Sequence, residues 1–157
     1  MTDFGSIYER YSADVFRFAL YLSGNWGDAE DIASETFVRA WASQESIATE
    51  TVKGYLFAIA RNLFLKGLRG ASRQSELPCD VPDTAPSAQE RVEQRAEVKA
   101  VLAAMQKLPP VDRAALIMRT LDELPYREIA RVLGISEIAA KVKVHRARAS
   151  LMNLRRA

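Results

Sequence analysis

A chain of 157 residues, 48% of them hydrophobic, has room for one domain of ordinary size or two very small ones with a real core. One cysteine and one histidine exclude an internal disulfide and leave almost no material for a conventional zinc site or a Cys-His nucleophile pair. The formal net charge of +2 hides a division, since residues 1 to 70 carry 7 basic and 9 acidic side chains, 71 to 94 carry 2 and 5, and 95 to 157 carry 13 and 6. Only the last third is electrostatically suited to nucleic acid.

Phe4, Ile7, Tyr8, Tyr11, Val15, Phe18 and Leu22 recur at spacings of three and four, which predicts a first helix ending near Ser23-Gly24-Asn25. A second helix is expected after Gly27, with Ala29, Ile32, Ala33, Phe37 and Ala40 inward and Asp28, Glu30, Asp31 and Glu35 on its exposed sides. Its early acids complement the helix dipole. Phe37 and Trp41 are expected in the core, because large aromatic groups at helical spacing usually bury their area. A third helix over roughly Thr51 to Leu68 turns Leu56, Ile59, Ala60 and Leu63 inward, while Arg61, Asn62, Leu65, Lys66 and Arg69 share another face. Together these make a helical bundle.

From Gly70 to Ser87 the chain holds Pro78, Pro82 and Pro86 among Ser, Asp and Thr, without apolar periodicity, and reads as a linker. Cys79 lies within it and has no metal-ligating neighbours. Ser87-Ala-Gln-Glu90 has capping-box spacing, so a new helix is expected to run toward Lys107, where Pro109-Pro110 stop it. Further helices are expected near 111 to 121, 125 to 133 and 136 to 153, and no strand-like alternation occurs. The expected architecture is all-α: a domain over 1–70, a flexible linker over 71–87 and a second domain over 88–157.

The last two helices form a helix-turn-helix pattern. Pro125 suits a first helical turn, Ile129, Ala130 and Leu133 make an apolar stripe, Gly134 can adopt the left-handed conformation that ends a helix, and Ser136 can cap the next. In that next helix Ala140, Val144, Ala147 and Leu151 share one side, leaving Lys141, Lys143, His145, Arg146 and Arg148 on the flanks and outer face, with no acid after Glu137. An ordinary solvated basic helix has a similar look. A helix-turn-helix places the N-terminal part of its second helix in the major groove, with flanking cations on phosphate.

The run DAEDIASETFVRAW over Asp28 to Trp41 is more acidic and aromatic than helix formation requires, and it resembles bacterial extracytoplasmic-function sigma factors, group IV of the sigma-70-type family. The resemblance extends through GYLFAIARNLFLKGLR to LPPVDRAALIMRTLDELPYREIARVLGIS, in order, over nearly the whole chain. It implies a sigma factor that directs RNA polymerase core to promoters: the first domain docks on a coiled coil of the largest polymerase subunit and reads the −10 element, and the second reads the −35 element. Implied polymerase contacts are Asp28, Asp31 and Glu35, which could equally serve as solvating helix acids. For −10 DNA the candidates are Arg61, Asn62, Lys66 and Arg69, beside the loop Gln44 to Thr51, with Asn62 as readily a tie between helices.

For −35 DNA the candidates are Ser136, Ile138, Lys141, Val142, Lys143, His145, Arg146 and Arg148. The family usually shows small or polar residues where Ile138 and Val142 stand, so two apolar groups face the groove, either to meet a thymine methyl or to pack against protein. An anti-sigma factor is a further implied partner. No catalytic constellation, metal site or cofactor motif supports an enzyme, and without a signal peptide or long apolar run a cytoplasmic protein is expected. The alternative is a stand-alone helix-turn-helix regulator with an N-terminal sensing or dimerisation domain, and the acidic second helix argues against it.

Overall fold

A computed structural model describes the backbone of residues 4–43, 51–70 and 88–156, and the side chains within 4–42, 51–67 and 95–154. The described residues form seven helices and no strand: α1 Phe4–Ser23, α2 Trp26–Ser43, α3 Val52–Gly70, α4 Ala88–Gln106, α5 Pro110–Thr120, α6 Tyr126–Leu133 and α7 Glu137–Arg156. The expected linker with Cys79, the cap residue Ser87 and most of the expected −10 loop lie outside the described residues.

Short-range chemistry sets the helix ends. Gly24 ends α1 at φ 73°, with its N–H donating to the Leu20 carbonyl at 2.8 Å. Asn25 then caps α2 by accepting the Asp28 N–H on Oδ1 at 2.9 Å, which is why this helix starts before Gly27 rather than after it. Thr51 caps α3, its Oγ1 accepting the Gly54 N–H at 3.0 Å. Pro110 occupies the first turn of α5, where its missing N–H costs nothing. Pro125 stands one position earlier than expected, as the extended residue before α6.

The apolar faces meet in a core that runs through both halves of the chain. Phe18 of α1 stacks on Phe57 of α3 at a centroid distance of 4.5 Å, and both are fully buried. The same cluster continues through Phe64 and Met105 to Ile117, Met118, Ile129 and Val144. A second cluster joins Leu102 of α4 to Ala19 and Leu20 of α1 and Ala29 of α2. α3 buries two adjoining faces, not one: Phe57, Ala58 and Phe64 are buried besides the expected Leu56, Ile59 and Ala60, because it packs between the first bundle and α6.

Polar contacts also cross from one half to the other. The α1 carbonyls left without intrahelical donors are met from the second half: Gln106 Nε2 donates to Tyr21 O at 3.3 Å, and Arg113 Nη1 donates to Leu22 O. Arg17 Nη2 and Lys53 Nζ approach Asp122 Oδ1 at 3.0 and 3.6 Å, and both cations also pair with Asp14. Thr51 Oγ1 reaches the fully buried Glu128 at 3.3 Å. Gly54 lies so close to Glu128 that an added Cβ would stand 2.0 Å from Oε1, so any larger residue there displaces the buried Glu128 carboxylate from its place between α3 and α6.

Candidate functional site

The helix-turn-helix forms through the residues that signalled it. Gly134 takes the left-handed conformation at φ 68°, and its N–H and that of Ile135 both return to the Ala130 carbonyl. Ser136 Oγ accepts the Ala139 N–H at 3.1 Å and caps α7. Ala140, Val144 and Ala147 are completely buried, which seats α7 against α5 and α6 and turns the opposite side outward.

On that outward side Ile138 is 75% and Val142 51% exposed. They stand one helical turn apart and so form a short apolar strip on the outer face. His145, Arg148 and Lys141 are exposed beside them, and Lys141 Nζ stands 5.7 Å from the centre of the Tyr126 ring at the start of α6. Arg119 approaches the same ring at 4.5 Å.

Two of the expected phosphate contacts are already engaged. Arg146 grips Asp112 of α5 side-on, Nε donating to Oδ2 at 2.7 Å and Nη2 to Oδ1 at 2.9 Å, and Lys143 Nζ lies 3.7 Å from Oδ1. Periodicity placed both cations on an open flank, and the acid from α5 is the finding it could not contain. The hydrogen bond from Arg146, with the charges of Arg146 and Lys143 behind it, holds the Asp112 carboxyl below the usual carboxylate value against the opposing effect of burial. The same hydrogen bond raises the Arg146 guanidinium above its ordinary value.

A folded-state value below the unfolded one means that the Asp112 contribution to stability is present above the ordinary value of 3.8 and is lost as pH falls through the folded-state value. The stability advantage of the wild type over Asp112→Asn is therefore expected to be constant above about pH 5 and to shrink below it. Thermal melts of the two proteins between pH 7 and pH 3 check this, and an advantage that grows on acidification would refute it.

On α3, Asn62 and Lys66 are exposed one turn apart, whereas Arg61 is half-buried and its guanidinium lies below its ordinary value through desolvation. The Arg69 side chain lies outside the described residues. Along α2, Asp28 and Asp31 are exposed and Glu35 is half-buried, its carboxylate 3.7 Å from Arg39 Nε. These three acids, at spacings of three and four, share one face.

Trp41 corrects the sequence-based expectation. Phe37 is buried, but Trp41 is 59% exposed and, among the described residues, its ring contact is with Phe4, edge-on at 5.0 Å. With Val38 and Tyr8, also exposed, it lines an apolar groove between α1 and α2 that adjoins the acidic face. Sequence reasoning missed Trp41 and Val38 as surface groups. Among the described residues no cluster of His, Cys, Asp and Glu could hold a metal ion, and no helix is long and apolar enough to cross a membrane.

Comparison with known proteins matches residues 7–74 to the family model for sigma-70 region 2 and residues 99–151 to that for sigma-70 region 4. The extracytoplasmic-function (ECF) RNA polymerase sigma factor SigM of Bacillus subtilis is 35% identical over 150 residues, covering 94% of this chain and 92% of that protein. The ECF RNA polymerase sigma factor SigE of Mycolicibacterium smegmatis is 33% identical over 96% of this chain, which spans only 61% of that relative's length. Among solved structures, the sigma factor RpoE of Bartonella quintana, in complex with the anti-sigma factor NepR, shares the fold with a TM-score of 0.78 at 24% identity, covering 100% of this chain and 99% of that one.

Proposed function

Since the chain belongs to the extracytoplasmic-function RNA polymerase sigma factors, we propose that it works as a dissociable promoter-specificity subunit, placing core polymerase on DNA and stabilising strand separation by binding alone. The observation that carries this reading is the pairing, on one chain, of an acidic α2 face edged by exposed apolar groups with a basic, outward-facing α7. A free-standing regulator has use for the second surface but none for the first.

In this reading residues 1–70 dock on polymerase and handle the −10 element, 88–157 handle the −35 element, and 71–87 link them. Asp28, Asp31 and Glu35 meet a basic polymerase surface, and Val38 and Trp41 supply the apolar anchor beside them. Asn62 and Lys66 present an amide and a cation to melted −10 DNA, with Arg61 and Arg69 on the same helix. On α7, Lys141, Lys143, Arg146 and Arg148 meet phosphate, while Ser136, Ile138, Val142 and His145 face the bases. The protein acts in the cytoplasm, and an anti-sigma factor covers its polymerase and DNA faces until it is needed.

The test is reconstituted transcription: purified chain and core polymerase are expected to initiate at discrete sites in a genomic DNA library at which core alone is silent. A chain that neither binds core nor confers initiation sinks the proposal, and selective DNA binding without core binding favours the regulator. A finer expectation concerns Val142, whose methyl groups suit a thymine methyl. Val142→Ser is expected to weaken preference for an A·T pair at one −35 position by about 1–2 kcal/mol in a promoter-variant binding series, and an unchanged base preference removes that role.

A further inference from the structure

The Asp112 carboxylate lies buried directly behind the cations of α7. Its side chain is only 2% exposed, in the first turn of α5, and the residues that reach it are Arg146 and Lys143, two cations one turn apart on α7. Seating α7 does not require it, because Ala140, Val144 and Ala147 are completely buried in that interface. Ion pairs of this kind are in general a weak source of net stability, so the arrangement calls for another explanation.

The geometry of the grip supplies one. Arg146 presents the Nε edge of its guanidinium to Asp112, using the single Nε hydrogen and one on Nη2. Three of its five N–H donors are left, both on Nη1 and one on Nη2, and two of them, one from each nitrogen, lie parallel along the adjoining edge. The side chain as a whole is 55% exposed, and Asp112 is the acceptor its hydrogen bonds reach. Lys143 is held one turn before it, and the three groups together keep a net positive charge.

We propose that Asp112 is a positioning residue for DNA recognition: it holds Arg146, and with it Lys143, in a preset clamp whose free guanidinium edge takes one backbone phosphate and so fixes the register of α7 in the groove. This rests on the reading of α7 as a DNA-facing helix. An arginine fixed on one edge has already lost rotamer freedom that a free side chain would lose on binding. The remaining edge still offers two parallel donors to phosphate oxygens, the bidentate geometry that distinguishes Arg from Lys.

The inference is tested with the full chain, using a duplex that the holoenzyme selects from a random-sequence library and a scrambled duplex of equal length. Binding to each is measured as a function of salt for wild type, Asp112→Asn, Arg146→Lys and the double variant, with thermal melts alongside. Asp112→Asn is expected to bind the selected duplex about tenfold more weakly, the scale of ordering one long side chain, and the scrambled duplex no more weakly than wild type does. Its salt slope on the selected duplex is expected to flatten by about one phosphate. Arg146→Lys is expected to behave alike, and the double variant no worse than either single one, because both changes break the same clamp.

Tighter binding of Asp112→Asn to both duplexes with a steeper slope would show that the acid merely withholds its cations, and would overturn the proposal. So would equal losses on both duplexes that track a lowered melting temperature, or additive effects in the double variant. A wild type that selects no duplex at all overturns the DNA reading of α7 itself, whereas a selective wild type matched by Asp112→Asn overturns only the clamp.

Discussion

Replacing Arg113 with alanine is expected to remove about 3–5 kcal/mol of unfolding free energy, a fall of about 2 M in the urea midpoint for a chain of this size. The side chain is almost fully buried and gives its donors to four backbone carbonyls: Leu22 at the end of α1, Met105 and Gln106 at the end of α4, and Leu108 in the loop that follows. Met105 O keeps the Leu108 N–H and Leu22 O a long bond from Gln106, but the charged donors to all four are lost, and in a buried setting water does not replace them. Burial lowers the Arg113 guanidinium from its ordinary value, yet arginine stays charged at any working pH, so these are charge-assisted bonds. Arg113→Lys is expected to recover only part of the loss, because an ammonium on a flexible stem cannot reproduce the planar fork. An alanine variant within 1 kcal/mol of wild type in urea titrations would show that the two halves are held without this cross-link.

The second large effect is expected at Trp41, on function and not on stability. If α2 docks on polymerase as proposed, Trp41→Ala is expected to weaken core binding by about 30-fold or more, the scale of an aromatic hot spot worth about 2 kcal/mol. The unfolding free energy is expected to change by less than about 1 kcal/mol, because 59% of the side chain is already in water and an edge-on ring contact such as that with Phe4 is worth about that much. Titration of labelled core polymerase with the two proteins checks the first half of the expectation, and urea unfolding of each checks the second. Undiminished core affinity would remove Trp41 from the interface and leave the α2 acids to carry it.

How far the sequence reached is visible at individual residues. Helix ends were legible to within a few positions, because Gly24, Thr51, Gly134 and Ser136 act within their own turn. Trp41 was misjudged because its spacing from the buried Phe37 puts it on the inward side of α2, whereas 59% of it is exposed and, among the described residues, its ring contact is with Phe4 at the first described position of α1. Asp112, Glu128 and Thr36 are buried polar residues that apolar periodicity passes over, and each is satisfied by a bond a pattern cannot show: Arg146 for Asp112, Thr51 for Glu128, and the Ile32 carbonyl, 2.6 Å away, for Thr36. For Lys143 and Arg146 the outward flank was read correctly and the engaged state was not.

The division follows the range of the forces involved. Helix type, capping, the acidic α2 face and the basic α7 all rest on residues within a turn or two of one another, so the order of amino acids alone was enough to specify them and, through their motifs, the family. The placing of α1 and α3 against α5 and α6, and the capture of α7 cations by α5, depend on partners far apart in the chain, 105 positions for Arg17 with Asp122 and 34 for Arg146 with Asp112. Which of many possible acids meets a given cation across such distances is settled by packing the whole chain. Buried apolar area brings the helices together, and the desolvated charges then take the partners that packing leaves within reach.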